Sequence, residues 1–125
     1  MSRWLTDYEA AWRAAGTDRL AGLFATDASY LRLPYQQPVT GLAAIQQMWE
    51  HEREGPDEVF TLATEIIAVD GPMAVVRAEV HYAGPPSQEY RDLWVMRLTD
   101  DGHCRWFEEW PYWPGMGRIS VNPRM

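Results

Sequence analysis

Two carboxylates set among tryptophans are the side chains in this sequence best suited to moving a proton. They lie in residues 90–113, YRDLWVMRLTDDGHCRWFEEWPYW, where two runs of period two flank an Asp100-Asp101-Gly102 turn. With glycine taking the positive φ, Thr99 faces His103, and Leu98, Met96, Trp94 and Asp92 then face Cys104, Trp106, Glu108 and Trp110. This register predicts one face built from Tyr90, Asp92, Trp94, Met96, Leu98, Cys104, Trp106, Glu108, Trp110 and Tyr112. The opposite face holds Arg91, Leu93, Val95, Arg97, His103, Arg105, Phe107 and Glu109. The first is aromatic and almost uncharged apart from Asp92 and Glu108, whereas the second carries charges suited to water.

A carboxyl in dry surroundings is either paired or raised in pKa, by as much as ~3–5 units when fully desolvated. A group tuned in that way can hold or deliver a proton near neutral pH. As diagonal neighbours, Asp92 and Glu108 can share a proton or flank a bound polar group. A structural reading competes, in which indole N–H groups, tyrosine hydroxyls or Arg77 satisfy both acids. The preceding strand carries Ala74, Val76, Ala78 and Val80 at its even positions. That apolar set predicts that Arg77 and Glu79 face water.

The elements that must position these acids are legible in the spacing. Trp4, Tyr8 and Trp12 recur every fourth residue, which predicts an amphipathic helix over 3–15 ended by Gly16. Thr17 can cap a second short helix with Leu20, Leu23 and Phe24 inward, and Asp27 leads out of it into the strand SYLRLPY. Pro34 and Pro38 mark that strand as an edge or as a loop crossing the sheet end. Thr40-Gly41 opens a third helix, LAAIQQMWEHERE, with Ile45, Met48, Trp49 and Glu52 on one stripe. Four strands in a meander complete the order, with an irregular tail over 114–125. The expected architecture is a single α+β domain over 1–125. Three N-terminal helices cover the concave face of a curved antiparallel or mixed sheet and enclose a conical pocket.

Composition removes several function classes. A net charge of −7 argues against a nucleic-acid partner and against anionic membrane surfaces, because such binding rests on cationic side chains. No apolar run is long enough to span a bilayer, and Cys104, the one cysteine, excludes an internal disulfide. Acids stand in the N-terminal stretch where a signal peptide needs apolar residues, so cytoplasmic residence is expected. Three scattered histidines without HExxH or CxxC give no metal pattern, and Gly115-Met116-Gly117 is too short for a phosphate loop. No cofactor is therefore expected. Seven Trp and six Tyr exceed what packing alone requires and suit a ligand cavity.

The N-terminal WLTDYEAAWRAAGTDRLAGLFATDASY, the GLAAIQQMW helix opening, the VDGPMAVVRAEVHY hairpin and DLWVMRLTDDGHCRWFEEW together resemble the nuclear transport factor two-like superfamily, and within it the SnoaL-like group. The resemblance covers the chain to Trp113. It implies a cone-shaped α+β fold with a deep pocket and a homodimer formed through the outer face of the sheet. Members include ketosteroid isomerases, scytalone dehydratase, polyketide cyclases and limonene epoxide hydrolase. Ketosteroid isomerases use a first-helix tyrosine and a strand carboxylic acid, and Tyr8 and Asp92 hold similar places here, leaving the base to Glu108 or Glu52. Tyr30, Tyr35 and His81 are looser counterparts of the scytalone dehydratase residues. The epoxide hydrolase pattern of Asp, Arg and Asp has no arginine placed beside these acids.

The resulting expectation is a cofactor-independent isomerase, dehydratase or cyclase for a small apolar, oxygen-bearing molecule. Asp92 and Glu108 divide the acid and base roles, while Tyr8 and Tyr30 bind a carbonyl or oxyanion. Trp12, Tyr35, Met48, Trp49, Glu52, His81, Trp94, Trp106 and Trp110 line the ligand space. The alternative is a noncatalytic hydrophobic-ligand-binding or dimerisation module, with Leu93, Val95 and Phe107 as the contact.

Overall fold

Trp4, Leu5, Tyr8 and Ala11 fall on one side of a helix, and that side is what α1, Ser2–Arg13, buries. Its far end is tied to the sheet by Arg13, whose Nη2 donates to the Phe60 carbonyl at 3.1 Å and whose guanidinium lies 4.1 Å from the Phe60 ring centre. The computed structural model describes residues 1–52, 59–84 and 87–115. The last two residues of the expected third helix, part of the GPPSQ loop and most of the tail lie outside them.

After α1 the chain makes a short 3-10 turn at Asp18–Gly22 and enters β1, Phe24–Leu31. The expected second helix is thus a single tight turn, and Phe24 belongs to a strand. Strand β2, Val39–Thr40, pairs antiparallel with β1 and leads through Gly41 (φ 96°) into α2, Leu42–Glu52, which buries Ile45 and Trp49. Strands β3 (Phe60–Asp70), β4 (Met73–Tyr82), β5 (Gln88–Leu98) and β6 (Cys104–Tyr112) form the expected meander.

The six strands make one mixed, unclosed sheet in the order β2-β1-β6-β5-β4-β3. Strand β1 is not an edge, because it lies parallel beside β6 and is covered on its other side by β2. Both prolines follow its end, so neither interrupts its pairing. On β4 the predicted alternation holds: Ala74, Val76, Ala78 and Val80 are buried, while Arg77 is exposed and pairs with Glu65 at 2.8 Å. The core lies between the helices and this concave face, with Leu20, Phe24, Ile45, Trp94, Met96 and Phe107 all fully enclosed.

The hairpin is where the observed register departs from expectation. The turn is as predicted, with Gly102 at φ 86°, a Thr99 N–H to His103 carbonyl bond of 2.7 Å, and Leu98 opposite Cys104. Between Cys104 and Trp106 a β-bulge inserts one residue into β6. Beyond it Arg97 faces Trp106, Met96 faces Phe107, Trp94 faces Glu109 and Asp92 faces Pro111. Because side chains alternate with period two, one added residue inverts the face of everything downstream. Asp92, Trp94 and Met96 remain inside as expected, but Phe107 and Glu109 replace Trp106, Glu108 and Trp110 on the concave face.

The inversion has a physical reason in packing. Phe107, which has no polar atom to satisfy, is sealed among Trp4, Tyr8, Tyr30 and Trp94, with ring centres 4.7–5.9 Å away. The two tryptophans displaced to the convex face keep their N–H groups bonded. Glu108 accepts from Trp106 Nε1 at 2.9 Å and also from Trp110 Nε1.

Candidate active site

Tyr8 of α1 is the hub of the interior. Its ring stacks on Trp4 at 5.1 Å, meets the edge of Trp49 at 5.4 Å and lies 5.0 Å from Trp94. Its hydroxyl lies 3.3 Å from the hydroxyl of Tyr30, on β1. The Tyr30 hydroxyl donates to Glu109 Oε2, on β6, at 3.2 Å. Since the Tyr30 proton is used on Glu109, the hydrogen bond between the tyrosines runs from Tyr8 to Tyr30.

Asp92, on β5, completes the cluster. It is 8% exposed, and its Oδ2 accepts from Trp94 Nε1 at 3.0 Å. Its carboxyl and that of Glu109 are hydrogen-bonding neighbours. Two ionised carboxylates can only repel, so this contact needs a proton on one of them. Among the described residues no donor reaches the buried Asp92 Oδ1.

The electrostatics place the proton accordingly. Burial pushes the Glu109 carboxyl well above the usual carboxylate range, and the negative charge of Asp92 pushes it further; the Tyr30 hydroxyl and the field of Arg32 oppose this without cancelling it. Burial also raises Asp92, but its hydrogen bonds to Glu109, to the Trp94 indole and to backbone N–H groups hold it lower. The pair therefore titrates as a unit, and of the two carboxyls Glu109 is the one pushed further up, so the shared proton favours Glu109 over Asp92. Burial likewise keeps both tyrosines protonated, well above the ordinary phenol value. Such a unit can accept a proton at one carboxylate and donate one from its neighbour, with two phenols behind the donor.

The other expected site residues separate into three groups. Trp49 and Trp94 are buried against Tyr8, Trp12 stacks on Phe60 at 4.5 Å beside it, and Met48 packs against the same core. Glu108, Trp106 and Trp110 are on the convex face because of the bulge, so Glu108 is not a member of the acid pair. Tyr35 is fully exposed in the loop after β1, and Glu52 is at the surface, ion-paired to Arg32 at 3.1 Å. His81 faces outward, with its Nε2 3.8 Å from Glu89. It lines a cleft of about 440 Å³ with Phe60, Tyr82 and Gln88, apart from the acid pair.

Glu109 and Arg32 were not expected here. A clue to Glu109 lies in the sequence Trp106-Phe107-Glu108-Glu109-Trp110, where an acid two residues from each tryptophan can satisfy both indoles on a wet face. Arg32 had no such signal. Cys104 is buried, and burial pushes its thiol up to about 12, which suits packing and not nucleophilic attack. Among the described residues no group of three or more His, Cys, Asp or Glu side chains could hold a metal ion. No described helix is long and apolar enough to cross a membrane.

A curled mixed sheet packed against N-terminal helices is the fold implied by the sequence resemblance, and the family model for the SnoaL-like domain matches residues 5–107. The chain belongs to the SnoaL-like family. Solved structures agree on the fold of this SnoaL-like domain. A protein described as a SnoaL-like polyketide cyclase, from Jannaschia sp. CCS1, is 16% identical with a TM-score of 0.69, covering 88% of this chain and 85% of its own. The epoxide hydrolase/cyclase-like enzyme SalBIII, of pyran ring formation in the polyether salinomycin, is 16% identical with a TM-score of 0.68 over 93% and 91%. A steroid delta-isomerase from Pseudomonas aeruginosa is 18% identical with a TM-score of 0.60 over 89% and 78%. No curated protein sequence matches this SnoaL-like chain.

Proposed function

We propose that this SnoaL-like domain is a cofactor-independent acid–base enzyme that isomerises, dehydrates or cyclises a small, largely apolar ketone of the polyketide, terpenoid or steroid type. The observation that carries this reading is the meeting of Asp92 and Glu109 on the concave face, with Glu109 accepting from Tyr30 and both carboxyls raised by burial. The Asp92 carboxylate takes a proton from carbon next to the carbonyl while Glu109 gives its proton to the carbonyl oxygen; Asp92 then delivers its proton to carbon at a new position of the enol, and the enol hydroxyl returns its proton to Glu109, which restores the pair. Tyr30 and Tyr8 stabilise the glutamate as its charge changes, and the surrounding indoles keep water away. The names of the structural relatives, a cyclase, an epoxide hydrolase/cyclase-like enzyme and a steroid isomerase, support the same class of chemistry. We also propose that the domain is a homodimer through the convex face of the sheet, where Leu93 and Trp110 are 38% and 39% exposed.

The test is deuterium uptake from heavy water into a panel of β,γ-unsaturated and β-dicarbonyl ketones, followed by mass spectrometry. Wild type accelerates uptake into one of them, and Asp92→Asn and Glu109→Gln each slow it by about a hundredfold or more. Glu108→Gln, on the other face, leaves it unchanged. Equal uptake in wild type and both pair variants would refute the catalytic assignment and leave a domain that binds without turnover.

A further inference from the structure

We propose that Arg32 is the specificity-determining residue of the site and that the substrate carries a carboxylate, which Arg32 receives in exchange for Glu52. The proposal rests on the proton-transfer reading above and adds the substrate's charge to it.

Register brings Arg32 to the acid pair. Strand β1 runs parallel to β6 with Tyr30 level with Phe107 and Leu31 level with Glu108. Strand β1 ends there, so Arg32 is the first residue past it, two residues beyond the Tyr30 that donates to Glu109, and its positive field reaches the Glu109 carboxyl. Its guanidinium spans to the end of α2, where Nη2 meets Glu52 Oε2 at 3.1 Å. Arg32 thus stands at the rim, between the enclosed tyrosines and solvent.

The acid pair does not need this cation. Burial holds the Glu109 carboxyl well above the usual carboxylate range in spite of Arg32, and the Asp92 carboxyl accepts from the Trp94 indole. The ionic partner of Arg32 is Glu52, and the two side chains keep 38% and 53% of their surface in water. An ion pair that wet contributes little and exchanges readily. A ligand carboxylate drawn in beside Glu109 has less water around it, and a guanidinium can grip both its oxygens. In a chain of net charge −7, a cation at the rim is what admits an anion. The substrate class is then a keto acid, with its carboxylate at Arg32 and its enolisable carbon at Asp92.

Calorimetric titration with 2-naphthoate and 2-acetylnaphthalene, alike in ring system and different in charge, tests the assignment. Wild type binds the naphthoate more tightly than the ketone. Arg32→Leu weakens the naphthoate by about tenfold or more and the ketone by less than about threefold. Glu52→Gln, which keeps the arginine and removes its competitor, tightens naphthoate alone. The proposal is overturned if wild type shows no preference for the acid, if Arg32→Leu weakens both compounds equally, or if neither variant alters naphthoate affinity. Its failure is separable from that of the catalytic reading. An acid preference lost on Arg32→Leu, with deuterium uptake unaffected by Asp92→Asn, sinks only the chemistry; slowed uptake in Asp92→Asn without any acid preference sinks only the role of Arg32.

Discussion

Replacing Glu109 by glutamine should change how the stability of this protein depends on pH. In the unfolded chain a glutamate loses its proton near its ordinary value of 4.5, whereas in the folded protein burial and the Asp92 charge keep Glu109 protonated to well above it. Between those two values the folded state holds a proton that the unfolded state has released. Raising the pH then favours unfolding, at about 1.4 kcal/mol per pH unit for one proton. From about pH 5.5 to about pH 7.5 this amounts to at most ~2.7 kcal/mol, a large part of a total stability of ~5–15 kcal/mol. With a urea sensitivity of ~1–3 kcal/mol per molar, the unfolding midpoint of wild type falls by up to about 1–3 M over that range. Glutamine keeps the shape and carries no titrating proton, so Glu109→Gln loses most of this slope; Asp92, also raised by burial, supplies the remainder at the acid end. The assay is urea unfolding followed by tryptophan emission at a series of pH values. The difference in stability between wild type and variant is what matters, since every other group titrates in both. If that difference stays constant across the range, Glu109 is not held protonated in the folded state and the shared-proton account is wrong.

Two further outcomes follow from the register of β6. Phe107→Ala empties a fully enclosed position and should cost ~3–5 kcal/mol in the same unfolding assay, whereas Trp106→Ala, on the convex face, should cost well under that; the reverse order would restore the unbulged register. On the same face, Leu93→Glu should convert a dimer to a monomer by light scattering while leaving the Tyr8–Tyr30–Glu109 chain untouched. A wild type that is monomeric at high concentration would remove the convex face as a contact.

Much of this arrangement was legible in the residues. Trp4, Tyr8 and Trp12 announced α1, the apolar even positions of β4 announced its concave face, and Asp92, Trp94 and Met96 fell inside as their alternation required. The Asp-Gly turn forms as its residues predict, down to the Leu98–Cys104 pair. The departure comes one step later. CRWFEEWPY alternates equally well in either frame, with Trp106, Glu108 and Trp110 in one and Phe107, Glu109 and Pro111 in the other. A bulge without glycine leaves no local mark, and the choice is made by distant partners, since Cys104 N–H bonds the Leu23 carbonyl and Phe107 stacks on Tyr30. The parallel pairing of β1 with β6 is equally non-local, which is why β1 read as an edge and Arg32 stayed out of view. Glu52 sat on an apolar stripe, but the stripe ends before its carboxylate, and the arginine across from it draws it to the surface.

Which of two adjacent glutamates lies dry in this protein is decided by counting peptide units and not by side-chain preference. Deleting a single residue near Arg105 would exchange the roles of neighbours 108 and 109 while every other letter of the strand stayed the same. Length changes at that spot are accordingly a route by which relatives with nearly identical strands could acquire or lose a buried acid, in one event that no comparison of residue identities would reveal.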